Sequence, residues 1–414
     1  MTQINRRSSL ARLVVATAAL GVMAAPALAQ KKYDPGATDT EIKVGNIMPY
    51  SGPASLYGIN GKTMAAYFNK INADGGINGR RINFITYDDA YAPPKTVEQA
   101  RRLVESDEVL LIFAPLGTAS NSAIIKYMNQ KQVPQLFVAT GATKFGDPKH
   151  FPWTMGWQPN YQSEGWIYAR YVLAHHANGK IGILYQNDDF GKDYVKGLKD
   201  GLGDKAKSMI VAEAPYEVNE TTADSQVVTL KASGADILYN ITTPKFAAQT
   251  IRKVKEIGWS PVHLLVSVSS SIGGVMKPAG VEHAKGIISA AYQKLPTDPT
   301  WKDDPAIKVW SEFMDKYYPD GDRSAVQTVT GYMMAQTMVQ VLKQCGDELT
   351  RENVMRQAAN LKDVELGLLL PGIKLKTGAS DYYPLEQLQM MRFTGDRWEL
   401  FGPVISGEIG SEGR

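Results

Sequence analysis

Short apolar runs alternate with longer helix-like segments along most of this chain, and that alternation constrains its fold more than any other feature. "IKVGNIM" from Ile42 reads as a strand, and "GKTMAAYFNKINADGG" as a helix with Met64, Tyr67, Phe68 and Ile71 on one face and glycines at its end. "RINFITYDD", "PKTVEQARRLVESD", "VLLIFAP", "NSAIIKYMNQKQ" and "PQLFVAT" continue the series as strand, helix, strand, helix, strand. The plan restarts at "KIGILYQ" (Lys180) and runs through four more strands and three helices to "VHLLVSV". This order predicts an α/β protein of two doubly wound parallel-sheet lobes with helices on both faces. A third portion follows: a strand in "GIISAAYQK", two helices, and a C-terminal hairpin turning at Thr394-Gly395-Asp396. "YDPGATDTE" before the first strand reads as a lead-in ordered only near Glu41.

Composition narrows the function. Arg6, Arg7 and Arg12 flank an apolar stretch, Leu13 to Ala25, that ends in Ala27-Leu28-Ala29, so residues 1–29 are expected to be a cleaved secretory signal. Without those three arginines the 45 Lys and Arg become 42, equal to the 42 Asp and Glu. A neutral mature chain implies no polybasic face for nucleic acid or anionic lipid. The one cysteine, Cys345, excludes an intramolecular disulfide and reads as a half-buried residue at a helix end. The five histidines form no ligand-spaced set, and His175-His176 falls at an exposed helix end, so no metal or other cofactor is expected. Met333, Met334 and Met338 read as core at their helical spacing.

In doubly wound sheets ligands bind at the carboxyl ends of strands. Here those ends carry small and hydroxyl residues: Pro49–Gly58, Leu116–Ser122, Ala139–Thr143, Asn187–Gly191, Thr242–Pro244 and Ser267–Ser271. Such loops bring backbone N–H groups and helix N-termini close to an anionic ligand. Any one of them also suits a plain helix cap, but several on two facing lobes suit a cleft. "GTASNS" lacks the Lys of a phosphate-binding loop, no G-x-G-x-x-G follows the first strand, and no G-x-S-x-G occurs, so nucleotide binding and hydrolase chemistry are unsupported. Asp88-Asp89 and Asp188-Asp189 are adjacent on extended chain, point apart, and read as caps or lobe contacts.

The sequence resembles the periplasmic solute-binding proteins of ABC transporters, of the leucine/isoleucine/valine-binding type, over nearly the whole mature chain. The likeness is carried by "IKVGNIMPYSGPASLYG", "INADGGINGRRINFITYDDAYAPPKTVEQARRLV", "VPQLFVATGAT", "ILYQNDDFGKDYVKGLKDGL" and "GADILYN". It implies a type I periplasmic binding fold, two lobes joined by three crossing segments, here placed near Met155–Asn160, Gly286–Tyr292 and Thr377–Leu385. Lobe 1 is then 41–155 plus 288–378, and lobe 2 is 156–287 plus 379–414. The implied function is not enzymatic: a periplasmic, monomeric protein holds a small carboxylate-bearing solute in the interlobe cleft and delivers it to the transporter's permease subunits. A ligand sensor that signals to a membrane receptor is the alternative on the same fold. The resemblance assigns the ligand carboxylate to Gly117, Thr118, Gly141, Ala142 and Thr143. It also places Tyr57, Phe190, Thr243 and Ser269 at the ligand. Amino-acid binders hold the α-ammonium with an acid after the last second-lobe strand, yet Val266–Ser271 contains no Asp or Glu. A buried ammonium without a carboxylate partner is costly, so the expected solute is an organic acid, aromatic acids included, rather than leucine. Trp153 and Trp157 are expected to pack beside the hinge.

Overall fold

The computed structural model describes residues 1–2 and 31–407. The expected signal segment therefore lies almost wholly outside the described residues. Sequence alternation becomes two sheets. The first is built from β2 (Glu41–Met48), α1 (Gly58–Ala73), β3 (Arg81–Asp88), α2 (Pro93–Arg101), β4 (Leu111–Phe113), α3 (Thr118–Lys131), β5 (Gln135–Val138) and β6 (Thr154–Gly156). Its order is β3-β2-β4-β5-β6 and every pairing is parallel.

The chain then crosses into α4 (Tyr161–His175), β7 (Ile181–Gln186), α5 (Asp189–Leu202), α6 (Ala206–Met209), β8 (Ile210–Tyr216), α7 (Asp224–Ala232), β9 (Ile237–Ile241), α8 (Pro244–Glu256) and β10 (Val262–Leu265). Two short helices, α9 (Lys277–Ala279) and α10 (Val281–Ala284), lead to β11 (Ile288–Ala291). The second sheet has the order β14-β13-β11-β10-β9-β7-β8, closed by the antiparallel hairpin β13 (Gln387–Phe393) and β14 (Trp398–Ser406). Between β11 and the hairpin the chain returns to the first lobe as α11 (Pro305–Tyr317), α12 (Val326–Cys345), β12 (Glu348–Leu349) and α13 (Arg351–Ala358).

Two features differ from the sequence expectation. Ile288–Ala291 pairs with both β10 and β13, so this strand belongs to the second sheet and the crossing follows Ala291 instead of preceding Ile288. The lead-in is ordered well before Glu41. Its β1 (Lys32–Tyr33) pairs in parallel with β12, and Arg80 ties Tyr33 to Asp347 through Nη2 at 2.7 and 2.6 Å. Both depend on partners distant in sequence, which local pattern does not reveal.

Packing follows the apolar periodicity. Phe68 of α1 meets Phe84 and Phe113 of the first sheet edge-on, at centroid distances of 5.1 and 5.8 Å. Met333, Met334 and Met338 of α12 are fully buried. Trp157 is buried at the first crossing, and its Nε1 donates to Thr337 Oγ1 at 3.0 Å. Cys345 is buried at the end of α12, which pushes its thiol up to about 12. His175 is exposed at the end of α4.

Candidate functional site

Strand order reverses between β2 and β4 in one sheet and between β7 and β9 in the other. Chain segments leaving such a point diverge and open a crevice at the strand ends. The two crevices face each other here and enclose one cavity, about 840 Å³ of space outside protein atoms with its mouth included. Tyr57, Gly117 and Thr118 line it from the first lobe, and Phe190, Thr243 and Ser267 from the second. The lobes meet around it: the Tyr57 hydroxyl donates to the Val268 carbonyl at 3.2 Å, and Lys144 Nζ lies 2.5 Å from Asp189.

The first-lobe wall presents donors. Gly117 precedes α3 with φ +98°, and a Cβ there would sit 2.4 Å from the Tyr91 ring. Glycine is thus required both by the left-handed backbone and by the close ring. It turns the chain so that α3 begins at the cavity. The first amides of an α-helix have no intrahelical acceptor, and those of this 14-residue helix carry the positive end of its dipole. Thr118 Oγ1 lies 2.7 Å from Thr140 Oγ1, a pair in which either hydroxyl can donate.

The second-lobe wall turns its donors away. Ser267 donates its N–H and its hydroxyl to the two Glu164 oxygens, both at 2.7 Å, and Tyr194 donates to the same carboxylate at 2.8 Å. The Tyr168 hydroxyl lies 3.0 Å from that carboxylate and 2.8 Å from the Leu265 carbonyl, which share its one proton. Glu164 is buried on α4, behind the loop and not on the cavity surface, and burial pushes its carboxyl above the ordinary range. Phe190 and Gly191 donate their amides to Asp188, the N-cap of α5. Thr243 N–H donates to the Tyr216 hydroxyl at 3.0 Å.

Four expected site residues do not line this cavity. A Cβ on Gly141 would lie 2.1 Å from the Pro159 carbonyl, so this glycine accommodates the hinge. Ala142 N–H donates to Thr140 Oγ1, and Thr143 N–H donates to Asp193 of the second lobe at 2.7 Å. Ser269 is buried and its hydroxyl donates to the Thr242 carbonyl. Of the "ATGAT" turn only Ala139 lines the cavity, while its Gly141–Thr143 end joins the lobes, and Leu116, Gly117 and Thr118 line the space beside it.

Sequence reasoning missed several lining residues: Tyr91, Tyr161 and Tyr292, which with Tyr57 and Phe190 make a largely aromatic enclosure, and the amides Asn60 and Gln327. Burial raises all four tyrosine hydroxyls above their usual range, Tyr292 to about 12, so they stay protonated at neutral pH. Among the described residues, no Asp, Glu, Lys, Arg or His lines the cavity, and no group of three or more His, Cys, Asp or Glu could hold a metal ion. The arrangement can bind a small molecule by ring contact, helix-terminal amides and neutral polar groups.

Residues 41–396 match the sequence model of a family described as periplasmic binding protein. Leu/Ile/Val-binding protein homolog 7 of Brucella abortus (strain 2308) is 22% identical over 384 residues, covering 88% of this chain and 89% of the relative. A branched-chain amino acid ABC transporter structure from Thermus thermophilus with bound valine superposes with a TM-score of 0.79 at 15% identity, over 89% of this chain and 97% of that one. A fatty acid ABC transporter substrate-binding protein from Thermomonospora curvata gives 0.77 at 22% identity, over 91% and 95%.

Proposed function

The chain belongs to the periplasmic binding protein family, an extracytoplasmic family of substrate-binding proteins, and from that premise we propose that it captures a small organic acid lacking an α-amine. The observation that carries this reading is the pairing of an uncharged cavity with the N-terminus of α3. The ligand carboxylate lies against the Thr118 and Ala119 amides and the Thr118 hydroxyl, where the helix dipole favours negative charge. An α-ammonium would enter the same space with no carboxylate to meet it, because the acid nearest the second-lobe loop, Glu164, already accepts from the Ser267 amide, the Ser267 hydroxyl and the Tyr194 hydroxyl. Tyr57, Tyr91, Tyr161, Phe190 and Tyr292 cover the apolar body, aromatic or aliphatic.

Names of structural neighbours fit a site that varies at the amine end: one gives valine as the bound molecule, and another is named as the substrate-binding protein of a fatty acid ABC transporter. Closure about the three crossings traps the solute, and the closed monomer delivers it to a permease. Calorimetry on protein unfolded, dialysed and refolded to remove bound solute tests the reading. 4-Methylpentanoate and 3-phenylpropanoate are expected to bind at least about tenfold more tightly than leucine and phenylalanine, the same skeletons with an amine. Tight leucine or valine binding beside weak binding of the deaminated acids overturns it.

A further inference from the structure

Two buried carboxamides in the cavity have unanswered oxygens. Asn60 of α1 and Gln327 of α12 are 3% and 2% exposed, and both line the cavity. Neither Asn60 Oδ1 nor Gln327 Oε1 has a hydrogen-bond partner among the described residues. Helix packing brings them into one neighbourhood. A Cβ on Gly331 would lie 2.7 Å from the Asn60 carbonyl, and Gln327 sits one turn before Gly331 on α12. The next polar groups along this wall behave differently: Gln293 and Thr330 bond to each other at 3.1 and 3.2 Å.

A buried acceptor without a partner is unfavourable, and each one in a native protein calls for an explanation; here two line the same cavity. An ionised carboxylate is acceptor-only and cannot meet these oxygens. An ammonium could donate to them, but neutral amides alone do not repay its desolvation and the wall holds no acid. A hydroxyl donates to one amide oxygen and accepts from an amide N–H, leaving no charge to bury. We infer that Asn60 and Gln327 form a second polar subsite, one that selects a solute carrying a hydroxyl group in addition to its carboxylate. This rests on the organic-acid reading above and narrows it to hydroxy acids.

The test is calorimetry on the stripped full-length chain with matched probes: 3-(4-hydroxyphenyl)propanoate against 3-phenylpropanoate, and 6-hydroxyhexanoate against hexanoate and 6-aminohexanoate. In at least one pair the hydroxyl is expected to tighten binding about tenfold or more, and Asn60→Leu or Gln327→Leu to bring the ratio of the two affinities within that pair to about one. Equal binding within both pairs overturns the inference and leaves the carboxylate reading intact. A larger gain from the ammonium than from the hydroxyl also overturns it. If acids bind no better than their amides, the carboxylate reading fails, and the same hydroxyl comparison is made between 3-(4-hydroxyphenyl)propanamide and 3-phenylpropanamide. Thermal melts of the ligand-free variants give a readout independent of any probe. Replacing an unpartnered amide by Leu should leave the melting temperature unchanged or higher. A drop of more than about 5 °C in both variants would make the amides structural and overturn the subsite.

Discussion

The two walls of the cavity look alike in sequence and behave differently in structure. "PLGTASNS" in the first lobe and "SVSSS" in the second are both small, hydroxyl-rich turns after a strand. The first opens a 14-residue helix whose first residue, Thr118, lines the cavity. The second directs its Ser267 N–H and hydroxyl backwards onto Glu164, and its Ser269 hydroxyl onto a main-chain carbonyl. Side-chain donors of both turns are engaged by protein, Ser120 with Asp89, Ser122 with the Thr118 carbonyl and Asn121 with the Pro115 and Gly117 carbonyls, so what sets the first turn apart is the helix start it brings to the cavity. On the proposed reading the first wall recognises the solute and the second supports the cavity.

The largest expected effect comes from removing that support. Glu164→Ala leaves the Ser267 amide and hydroxyl and the Tyr194 hydroxyl without their acceptor, and should cost about 3 kcal/mol or more in urea unfolding. Glu164→Gln keeps the shape and should cost less. The same pair reports on pH. Burial raises the Glu164 carboxyl above its ordinary value of 4.5, so between that value and the raised one the folded state binds more protons than the unfolded state. Wild-type stability relative to Glu164→Gln should then fall as pH rises through this window. A difference that grows with pH contradicts the assignment.

On the recognition wall, Gly117→Val forces a β-branched residue into φ +98° and against Tyr91. Displacing the turn from its binding geometry should cost about 2–3 kcal/mol of binding, roughly thirty- to 150-fold weaker solute affinity by calorimetry. Binding within twofold of wild type would remove the α3 N-terminus from the site. A smaller effect lies where the walls touch. Tyr57→Phe deletes the bond to Val268 and should weaken binding about two- to tenfold through less favourable closure. Smallest of all is Lys144→Ala, which breaks a partly exposed ion pair to Asp189 and should change affinity by less than about 0.5 kcal/mol at physiological salt.

Most of the fold was legible because the longer strands and helices announce themselves locally: apolar runs such as Leu110–Phe113, the helix-opening Pro94, the terminating Gly75-Gly76. What escaped depended on distant partners, as in the pairing of Lys32–Tyr33 with Glu348–Leu349 and of Ile288–Ala291 with the hairpin. At the site, sequence placed Tyr57, Gly117, Thr118, Phe190 and Thr243 where the cavity is. It treated "GTAS" and "ATGAT" as equal halves of a cradle, because it does not show that the Thr143 amide meets Asp193. Asn60 and Gln327 did leave a trace. Asn60 stands one turn before Met64 on the apolar face of its helix, and Gln327 stands in register with Met334 and Met338. A polar residue on a core-facing stripe was the signal to follow.

A crystal structure of the chain with its natural solute tests the central claim most directly. The account predicts a carboxylate oxygen within about 2.7–3.2 Å of the Thr118 or Ala119 amide nitrogen and no amine in the solute. A solute whose ammonium lies against the second-lobe wall, or whose carboxylate points away from α3, would contradict it.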